Sequence, residues 1–292
     1  MITHLLAVDG GGTKTALRLT PLEPLKTDPF FTLTFGPSSL TQQGPASIET
    51  IKSAIAQCLR EHQLRPDQVS IVVGVAGAGN IELKQQLQLA LSRYPICQVT
   101  TDAHISLLGA NDGMPVNTIA IGTGSVATKF STTGEISIYG GWGFPIGDEG
   151  GGAWLGQQAV RSLISAIETG HHSAITKQLS KTIGHTRPMV LQWLKTANAS
   201  TFAQFAPDVL NAAQQGCEYS KNILFQANQY IDKLITKCCK NNELDIAFLG
   251  SLGAYYQSHI QPQWRSRVIQ AKGSALDGAT LLARQQMDVT NE

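Results

Sequence analysis

A glycine-rich turn between two strand-like apolar runs occurs twice in this sequence and constrains the fold more than any other feature. The first copy spans residues 5–19 with its turn at Gly10, and the second spans residues 118–130 with its turn at Gly122. Each turn joins two runs of β character, which predicts a hairpin in both places. Because the same unit recurs, the sequence predicts a duplicated α/β fold rather than two unrelated domains.

Strand and helix patterns alternate after each predicted hairpin, which is typical of a largely parallel sheet. Beyond the hairpins, the predicted strands are 30–35, 69–75, 97–101 and 244–249, the predicted helices are 46–61, 83–91, 103–109, 273–284 and, with interruptions, 152–239, and a loop is expected at 21–29. At 292 residues the chain is about twice the usual length of one domain. We therefore expect an N-terminal lobe at 1–112, closed by a helix near 273–288, and a C-terminal lobe at 113–272.

The composition excludes several classes of protein. No apolar stretch approaches the roughly 18 residues of a membrane helix, so a membrane is not an expected partner. A formal charge of +1 lacks the basic excess of a nucleic-acid-binding surface. The five cysteines, without a CxxC pair, argue against a disulfide framework, a zinc site or an iron–sulfur cluster. The apolar run before Asp9 is too short for a secretory leader, which predicts a cytoplasmic protein.

Glycine turns let backbone N–H groups approach phosphate oxygens, so the two hairpin turns are candidate phosphate sites. The first is not a P-loop, because no glycine directly precedes Lys14 and a strand follows. The second fits a dinucleotide fingerprint formally, but residues 126–130 continue as a strand and not as a helix. The HRD and DFG motifs of protein kinases do not occur. The alternative is that both glycine turns are plain hairpin turns that bind no ligand.

Three motifs in order, residues 7–15 (AVDGGGTKT), 121–125 (IGTGS) and 249–253 (LGSLG), resemble the phosphate-1, phosphate-2 and adenosine motifs of the actin/hexokinase/Hsp70-like ATPases. Within that superfamily the chain resembles the BadF/BadG/BcrA/BcrD ATPase family, which contains N-acetylglucosamine kinases and glucosamine kinases. The resemblance runs from residue 5 to about 284. It implies two ribonuclease H-like lobes with an interlobe cleft that binds ATP. The implied ATP-binding residues are Gly10, Gly11, Gly12, Thr13, Lys14, Gly122, Thr123, Gly124, Ser125, Gly250, Ser251 and Gly253.

Two carboxylates stand at the ends of predicted strands. Asp9 ends the first strand and is suited to hold Mg²⁺ through water, because Mg²⁺ prefers oxygen ligands and keeps several waters. Asp102 follows strand 97–101, where open α/β sheets place functional groups. The resemblance implies that Asp102 is the catalytic base, which accepts the proton of a sugar hydroxyl. The alternatives are that Asp9 fixes its own turn and that Asp102 caps the following helix.

Residues 140–150, GGWGFPIGDEG, are too rich in glycine for a core element. In the resembling kinases this motif lies at the sugar site, while a plain loop in which Asp148 caps a helix is the alternative. The family commonly has an asparagine where this chain has Ser39, whose shorter side chain leaves the substrate preference open. The implied sugar-binding residues are Ser39, Gly77, Asp102, Trp142, Gly143 and Asp148.

The resemblance implies a kinase that transfers the γ-phosphate of MgATP to the 6-hydroxyl of N-acetylglucosamine, with a homodimer as one expected assembly. Glucosamine is the second candidate substrate. An ATPase that activates a CoA-ester dehydratase or reductase is less favoured, because it needs cysteine ligands for a shared cluster. A nucleotide-dependent sugar sensor usually carries a helix-turn-helix, for which no room precedes the first hairpin.

Overall fold

The computed structural model describes residues 1–23 and 30–290 and divides the chain into two compact units. Unit 1 comprises Met1–Val116 and Ala271–Glu292, and unit 2 comprises Asn117–Gln270. Most of the predicted loop at 21–29 lies outside the described residues. No helix of the described ranges is long and apolar enough to cross a membrane.

Unit 1 is built on a five-stranded mixed sheet. Its elements are β1 (His4–Gly10), β2 (Thr15–Pro21), β3 (Phe31–Phe35), α1 (Leu40–Gln43), α2 (Pro45–Glu61), β4 (Val69–Val75), α3 (Ile81–Ala90), β5 (Ile96–Thr100), α4 (Asp102–Ala110) and, at the C-terminus of the chain, α12 (Ala275–Thr290). The strand order is β3-β2-β1-β4-β5, with β1 antiparallel to β2 and parallel to β4. The first predicted hairpin is therefore the centre of this sheet.

Unit 2 repeats this arrangement in the order β10-β9-β6-β7-β8. Its elements are β6 (Val116–Ile121), β7 (Ser125–Phe130), β8 (Ile136–Gly140), α5 (Gly152–Thr169), α6 (Ala174–Ile183), α7 (Arg187–Leu194), α8 (Ala199–Ala203), α9 (Ala206–Gln214), α10 (Glu218–Cys239), β9 (Ile246–Leu249), α11 (Gly253–His259) and β10 (Val268–Ile269). In both units a hairpin pairs with a strand that follows a helical segment and runs parallel to it. The predicted duplication of a ribonuclease H-like α/β unit is confirmed.

Strands β8 and β10 were not predicted from the sequence. β8 is an edge strand in which no residue is fully buried, and β10 is a pair of half-buried residues. An exposed edge strand leaves a weaker apolar pattern than a buried one, and β10 is only two residues long, so the sequence pattern identified neither strand.

The sheet of unit 1 is buried on both faces, which explains why its central strands read as nearly continuous apolar runs. Successive residues of β1 point to opposite faces, so Leu5 packs with α4 and α12 while Leu6 packs with α2. Gly109 and Gly278 let α4 and α12 approach closely, because a Cβ at either would lie 1.9 Å from a backbone oxygen of the other helix or its N-terminal flank. The C-terminal helix therefore completes the core of unit 1.

Candidate active site

The turn between β1 and β2 directly follows Asp9. Gly11 N donates to Lys14 O at 2.9 Å, which closes the turn. A Cβ at Gly10 would lie 2.6 Å from Ser38 Oγ, so this position accepts only glycine without a rearrangement. Thr13 is exposed at the tip. The tip of the turn thus lies open to solvent, as binding of a phosphate group requires.

Segment 36–41 is held against this turn by buried hydroxyl groups. Thr15 and Ser38 have no exposed surface. Thr15 Oγ1 lies 2.6 Å from Gly36 O and 2.7 Å from Ser38 Oγ. Because the Gly36 carbonyl only accepts and a hydroxyl carries a single proton, the Ser38 hydroxyl donates to Thr15 while Thr15 donates to Gly36. Ser38 N also donates to Gly11 O at 3.0 Å, so the segment and the turn form one hydrogen-bonded unit.

Ser39 and Gly77, which the resemblance places at the sugar, both lie beside Thr41. Ser39 is only 2% exposed, and its hydroxyl lies 3.3 Å from the Thr41 hydroxyl. Its carbonyl oxygen accepts from Ser47 Oγ at 2.7 Å. Gly77 has φ +90°, and a Cβ there would lie 2.9 Å from Thr41 N. The Ser39 hydroxyl is therefore directed at protein atoms in this structure.

Asp102 is the first residue of α4, and the residue before it forms the helix cap. Thr101 Oγ1 accepts from His104 N at 3.1 Å. The capping role considered for Asp102 thus belongs to Thr101. Burial raises the pKa of the Asp102 carboxyl, while hydrogen bonds from the backbone N–H groups of Ala103 and of Asp102 itself lower it.

The two acidic residues at the strand ends of unit 1 influence each other electrostatically. Burial and, to a smaller extent, the charge of Asp102 raise the pKa of Asp9 to about 6, although the charge of Lys14 opposes the shift. Two carboxylates that share a partly buried region repel each other, and a bound cation relieves this repulsion.

In unit 2 the Asp148 carboxylate packs onto the turn between β6 and β7. A Cβ at Gly124 would lie 2.1 Å from Asp148 Oδ2, so the carboxylate occupies the space that a side chain would need. Asp148 Oδ1 accepts from Gly143 N at 3.0 Å. Asp148 has φ +64°, a left-handed conformation that is uncommon for a residue with a side chain. Such conformations occur at functional sites, where surrounding contacts stabilise them.

Burial raises the pKa of Asp148, the hydrogen bond from Gly143 lowers it, and the charge of Glu149 raises it. Asp148 does not cap α5, since Gly151 is the residue before that helix. The Trp142 side chain is 87% exposed on the same loop. The loop therefore combines a carboxylate acceptor with an aromatic side chain that is free to cover a ligand.

The start of α5 is bonded directly to the same turn. Gly152 N donates to Gly122 O and Ala153 N to Thr123 O, both at 2.8 Å. Ser125 Oγ donates to Glu149 O at 2.8 Å. The helix dipole of this 18-residue helix adds a partial positive charge beside the turn, which favours an anionic ligand there.

The third glycine motif, residues 250–253, also lies at the carboxyl end of β6. Gly250 has φ +84°, and a Cβ there would lie 2.3 Å from Ile121 O. Leu252 N donates to Ile121 O at 3.0 Å. Tyr256, buried on α11, donates its hydroxyl to Gly150 O at 2.5 Å. Residues 122–125, 148–152 and 250–253, which are distant in sequence, thus meet at the carboxyl end of β6.

A groove between α9, α10 and α11 was not predicted from the sequence. Its volume is about 700 Å³, and its walls include Leu210, Leu224, Phe225 and Tyr255. Asn228 Nδ2 donates to Tyr255 Oη at 3.4 Å, while Asn228 Oδ1 is buried and has no hydrogen-bond partner among the described residues. A buried acceptor without a partner is costly and indicates a missing donor. An asparagine within a long amphipathic helix carries no local signal of a ligand, so only the packing of the helices revealed this groove.

The chain is similar to known proteins in both sequence and structure. The family model described as BadF/BadG/BcrA/BcrD ATPase family matches residues 6–256. A protein of Vibrio cholerae serotype O1 named glucosamine kinase GspK is 23% identical over 286 residues, covering 97% of this chain and 96% of that protein. A Clostridium acetobutylicum protein named N-acetylmuramic acid/N-acetylglucosamine kinase is 27% identical over 173 residues, covering 56% of this chain and 55% of that protein.

Among solved structures, one from Chromobacterium violaceum, described as a candidate N-acetylglucosamine kinase, is similar over nearly the whole length of both chains. The TM-score is 0.86 and the sequence identity is 30%, with 97% of this chain and 99% of that chain covered.

Proposed function

Because the chain belongs to the BadF/BadG/BcrA/BcrD ATPase family, whose description implies ATP binding, we propose that it is a kinase that phosphorylates the 6-hydroxyl of N-acetylglucosamine. One observation carries this proposal: the Asp148 carboxylate, an acceptor for sugar hydroxyls, lies against Gly124 of the second glycine turn. A hydroxyl-binding group is thereby fixed beside a turn suited to phosphate. Phosphoryl transfer depends mainly on such positioning.

In the proposed reaction Asp102 is the base. It accepts the proton of the sugar 6-hydroxyl while that oxygen forms a bond to the γ-phosphorus and the bond from the γ-phosphorus to the leaving ADP oxygen breaks. The raised pKa of Asp102 supports this role, because a carboxylate with a higher pKa is a stronger base. Asp148 and Trp142 would orient the sugar ring through a hydrogen bond and an apolar contact, respectively.

The phosphates are assigned to the two hairpin turns, residues 10–14 and 122–125. The proximity of the α5 N-terminus to Gly122 supports the second assignment. Residues 250–253 would face the nucleoside, and the groove beside them suits adenine. Its walls are mostly apolar, and the unpartnered Asn228 Oδ1 would accept a hydrogen from the exocyclic amine of adenine. Guanine presents a carbonyl oxygen there and would leave Asn228 without a donor.

Asp9 fits a Mg²⁺ ion. Its carboxylate has a raised pKa because of burial and the charge of Asp102, and a divalent cation compensates both effects. The described part of the chain contains no group of three or more His, Cys, Asp or Glu residues arranged for a metal. Asp9 would therefore hold the ion through water, with phosphate oxygens completing the shell. When bound, Mg²⁺ neutralises charge on the phosphates.

Glucosamine is the second candidate substrate, because Ser39 occupies the position where the family usually has asparagine and its hydroxyl is buried against Thr41. Initial rates with N-acetylglucosamine and glucosamine at equal concentration decide between them. A cytoplasmic location and a homodimer also belong to the proposal. The five cysteines are free thiols, which supports a reducing compartment. Light scattering of the purified protein measures its oligomeric state.

The deciding experiment measures ATP consumption with a panel of sugars for the wild type and for Asp102→Asn. We expect kcat to fall by about 10²–10⁴-fold, the usual contribution of a general base. Asp67→Asn is the matched control, since Asp67 is exposed and pairs with Arg65 away from the site. Full activity of Asp102→Asn would remove the assignment of the base, and absence of sugar-dependent ATP consumption in the wild type would remove the proposed function.

A further inference from the structure

The short helix α1, Leu40–Gln43, is fixed between two turns of unit 1. Leu40 N donates to Ala76 O at 2.8 Å, directly after β4. On the other side, Ser38 N donates to Gly11 O at 3.0 Å, in the turn between β1 and β2. The helix is therefore tied, through the segment that leads into it, to the turn that is proposed to bind phosphate.

The side chain of Gln42, on α1, lies against the last glycine of that turn. A Cβ at Gly12 would lie 2.9 Å from Gln42 Oε1 and 3.4 Å from both its Cδ and its Nε2. The amide group itself, and not only the aliphatic part of the side chain, is thus beside the backbone of the turn. A phosphate bound to this backbone would have the Gln42 amide next to it.

The Gln42 amide is free to bind a ligand. The residue is exposed, and within the part of the chain that the structure describes its side chain makes no hydrogen bond. An amide group offers two N–H donors, whereas the oxygens of a phosphate are acceptors. Hydrogen bonds to an ionised acceptor are stronger than those between neutral groups. An uncommitted donor beside a glycine turn therefore suits a phosphate group.

Gln42 is also close to Ser39, which the family resemblance places at the sugar. Ser39 directly precedes α1, and Gln42 N donates to Ser39 O at 3.3 Å. Gln42 thus stands between a residue assigned to the sugar and Gly12 of a turn assigned to phosphate. In a kinase the phosphate nearest to the acceptor sugar is the γ-phosphate, because that group is transferred. The position of Gln42 therefore points to the γ-phosphate.

We propose that Gln42 Nε2 donates a hydrogen bond to an oxygen of the γ-phosphate, so that Gln42 helps the enzyme to distinguish ATP from ADP. The inference rests on the proposed sugar kinase function and adds a specificity-determining residue to it. ADP lacks the γ-phosphate and leaves the Gln42 donor unused. The contribution of Gln42 is therefore lost once the phosphoryl group has been transferred, which favours release of ADP and binding of a new ATP.

The test measures two dissociation constants by calorimetric titration, with magnesium chloride present and without sugar. One ligand is ADP, and the other is the β,γ-imido analogue of ATP, which keeps the γ-phosphate and resists hydrolysis. For Gln42→Leu, which removes the donor, we expect the Kd for the analogue to rise by about tenfold, the lower end for a hydrogen bond to a charged group. The Kd for ADP should stay within about twofold, as for most exposed substitutions.

Gln42→Glu keeps the shape of the side chain and replaces the donor with a negative charge. The Kd for the analogue should therefore rise more than in Gln42→Leu, because like charges repel. Gln85→Leu and Gln85→Glu are the matched controls, since Gln85 is an exposed glutamine on α3, and both should leave the two Kd values unchanged. Thermal melting of each variant shows that a change in Kd does not reflect unfolding.

Three outcomes overturn the inference and leave the proposed function intact when the wild type binds both nucleotides. These are an equal rise of both Kd values in Gln42→Leu, no change in either value, and a smaller rise for the analogue in Gln42→Glu than in Gln42→Leu. If the wild type binds neither nucleotide, the proposed function fails and the inference fails with it.

Discussion

The two units share a sheet but differ in what the chain inserts between the third and fourth strands. In unit 1, β3 is followed by α1, α2 and then β4, whereas in unit 2 the described chain forms α5 to α10 between β8 and β9. The common sheet presents a glycine turn at the end of its central strand in both units. The insertion supplies the groove with Asn228 and the start of α5 beside the second turn. Under the proposed function, the duplicated part provides the turns for phosphate and the inserted part provides recognition.

The units also differ in what packs against their turns. In unit 1 the partner of the turn is a neutral hydroxyl, Ser38, fixed by Thr15. In unit 2 it is a charged side chain, Asp148, at Gly124. A neutral buried contact mainly stabilises the fold, while a partly buried carboxylate has unused acceptor capacity for a ligand. The turns of the two units therefore differ in the group that packs on them, which is a neutral hydroxyl in unit 1 and a carboxylate in unit 2.

The largest effect is expected at Gly124. Gly124→Ala places a Cβ where Asp148 Oδ2 now lies, so the carboxylate must move or the turn must shift. We expect a loss of about 1–3 kcal/mol in the free energy of unfolding, typical of overpacking, and an increase of at least about tenfold in KM for the sugar. Denaturant unfolding and sugar titration measure these effects.

Gly122→Ala is the control for stability, because the nearest atom to its Cβ would be Ser251 Oγ at 4.0 Å. Equal unfolding free energies for the two variants would show that Asp148 does not need the space at Gly124.

Thr15→Val tests the neutral contact of unit 1. The substitution keeps the shape but leaves Gly36 O and Ser38 Oγ without their partner in a buried place. We expect a loss of about 1–3 kcal/mol in the free energy of unfolding, measured with guanidinium chloride. Thr118→Val in unit 2 should lower the free energy of unfolding by less than Thr15→Val does. The buried Thr118 hydroxyl lies 3.3 Å from the Thr128 hydroxyl, a longer contact than those of Thr15. A larger loss for Thr118→Val would contradict the role given to the Thr15 contact.

Asn228→Leu addresses recognition by the insertion of unit 2. We expect the Kd for ATP to rise by about tenfold, the worth of one hydrogen bond, and the preference for ATP over GTP to shrink. The melting temperature should stay the same or rise, because the substitution removes a buried unpartnered oxygen. Calorimetric titration measures the Kd for ATP and for GTP. Asn222→Leu, an exposed position on the same helix, is the control. Unchanged ATP binding in Asn228→Leu would show that the adenine of ATP does not bind beside Asn228.

The smallest effect concerns the pH dependence of Asp277, which pairs with Arg18 and accepts from Ser274 N and Oγ at 2.6 Å. Burial raises the pKa of Asp277, but the hydrogen bonds from Ser274 and Arg18 outweigh it, so the folded-state pKa lies below the ordinary value. Its stabilisation is therefore present above the unfolded-state pKa, about 3.9, and is lost as pH falls through the lower folded-state value.

Asp277→Asn should weaken this acid-side loss of stability and cost under about 1 kcal/mol at pH 7, because the pair is partly exposed. Asp148→Asn should change the pH dependence of the free energy of unfolding in the opposite direction. The folded-state pKa of Asp148 is raised, so its contribution is present below the unfolded-state pKa and is lost as pH rises through the folded-state value. The free energy of unfolding of the two variants is measured from pH 3 to 8. Parallel curves of this free energy against pH would contradict the opposite pH dependences expected for Asp277 and Asp148.

Much of the fold could be predicted from residue patterns. β1 and β4 are buried over nearly their whole length and read as continuous apolar runs, whereas α2 buries one face with Ile51, Ile55 and Cys58 and shows a helical period. β8 and β10 escaped because they are half-buried or very short. The roles of Asp102, Asp148 and Ser39 came from the motif resemblance and remain proposals, since a carboxylate or hydroxyl in a turn carries no indication of its ligand.

By itself, the sequence determined the repeated hairpins, the positions of their glycine turns and the membership of an ATPase family, because these depend on local backbone preference and on ordered motifs. Tertiary structure alone decided that Asp148 lies on Gly124, that Thr15 fixes Ser38, and that Asn228 Oδ1 lies at a groove without a hydrogen-bond partner among the described residues. Local preference acts over a few residues. Contacts between residues distant in sequence, such as those of Thr15 with Ser38 and of Gly124 with Asp148, arise only when the packed core brings their elements together.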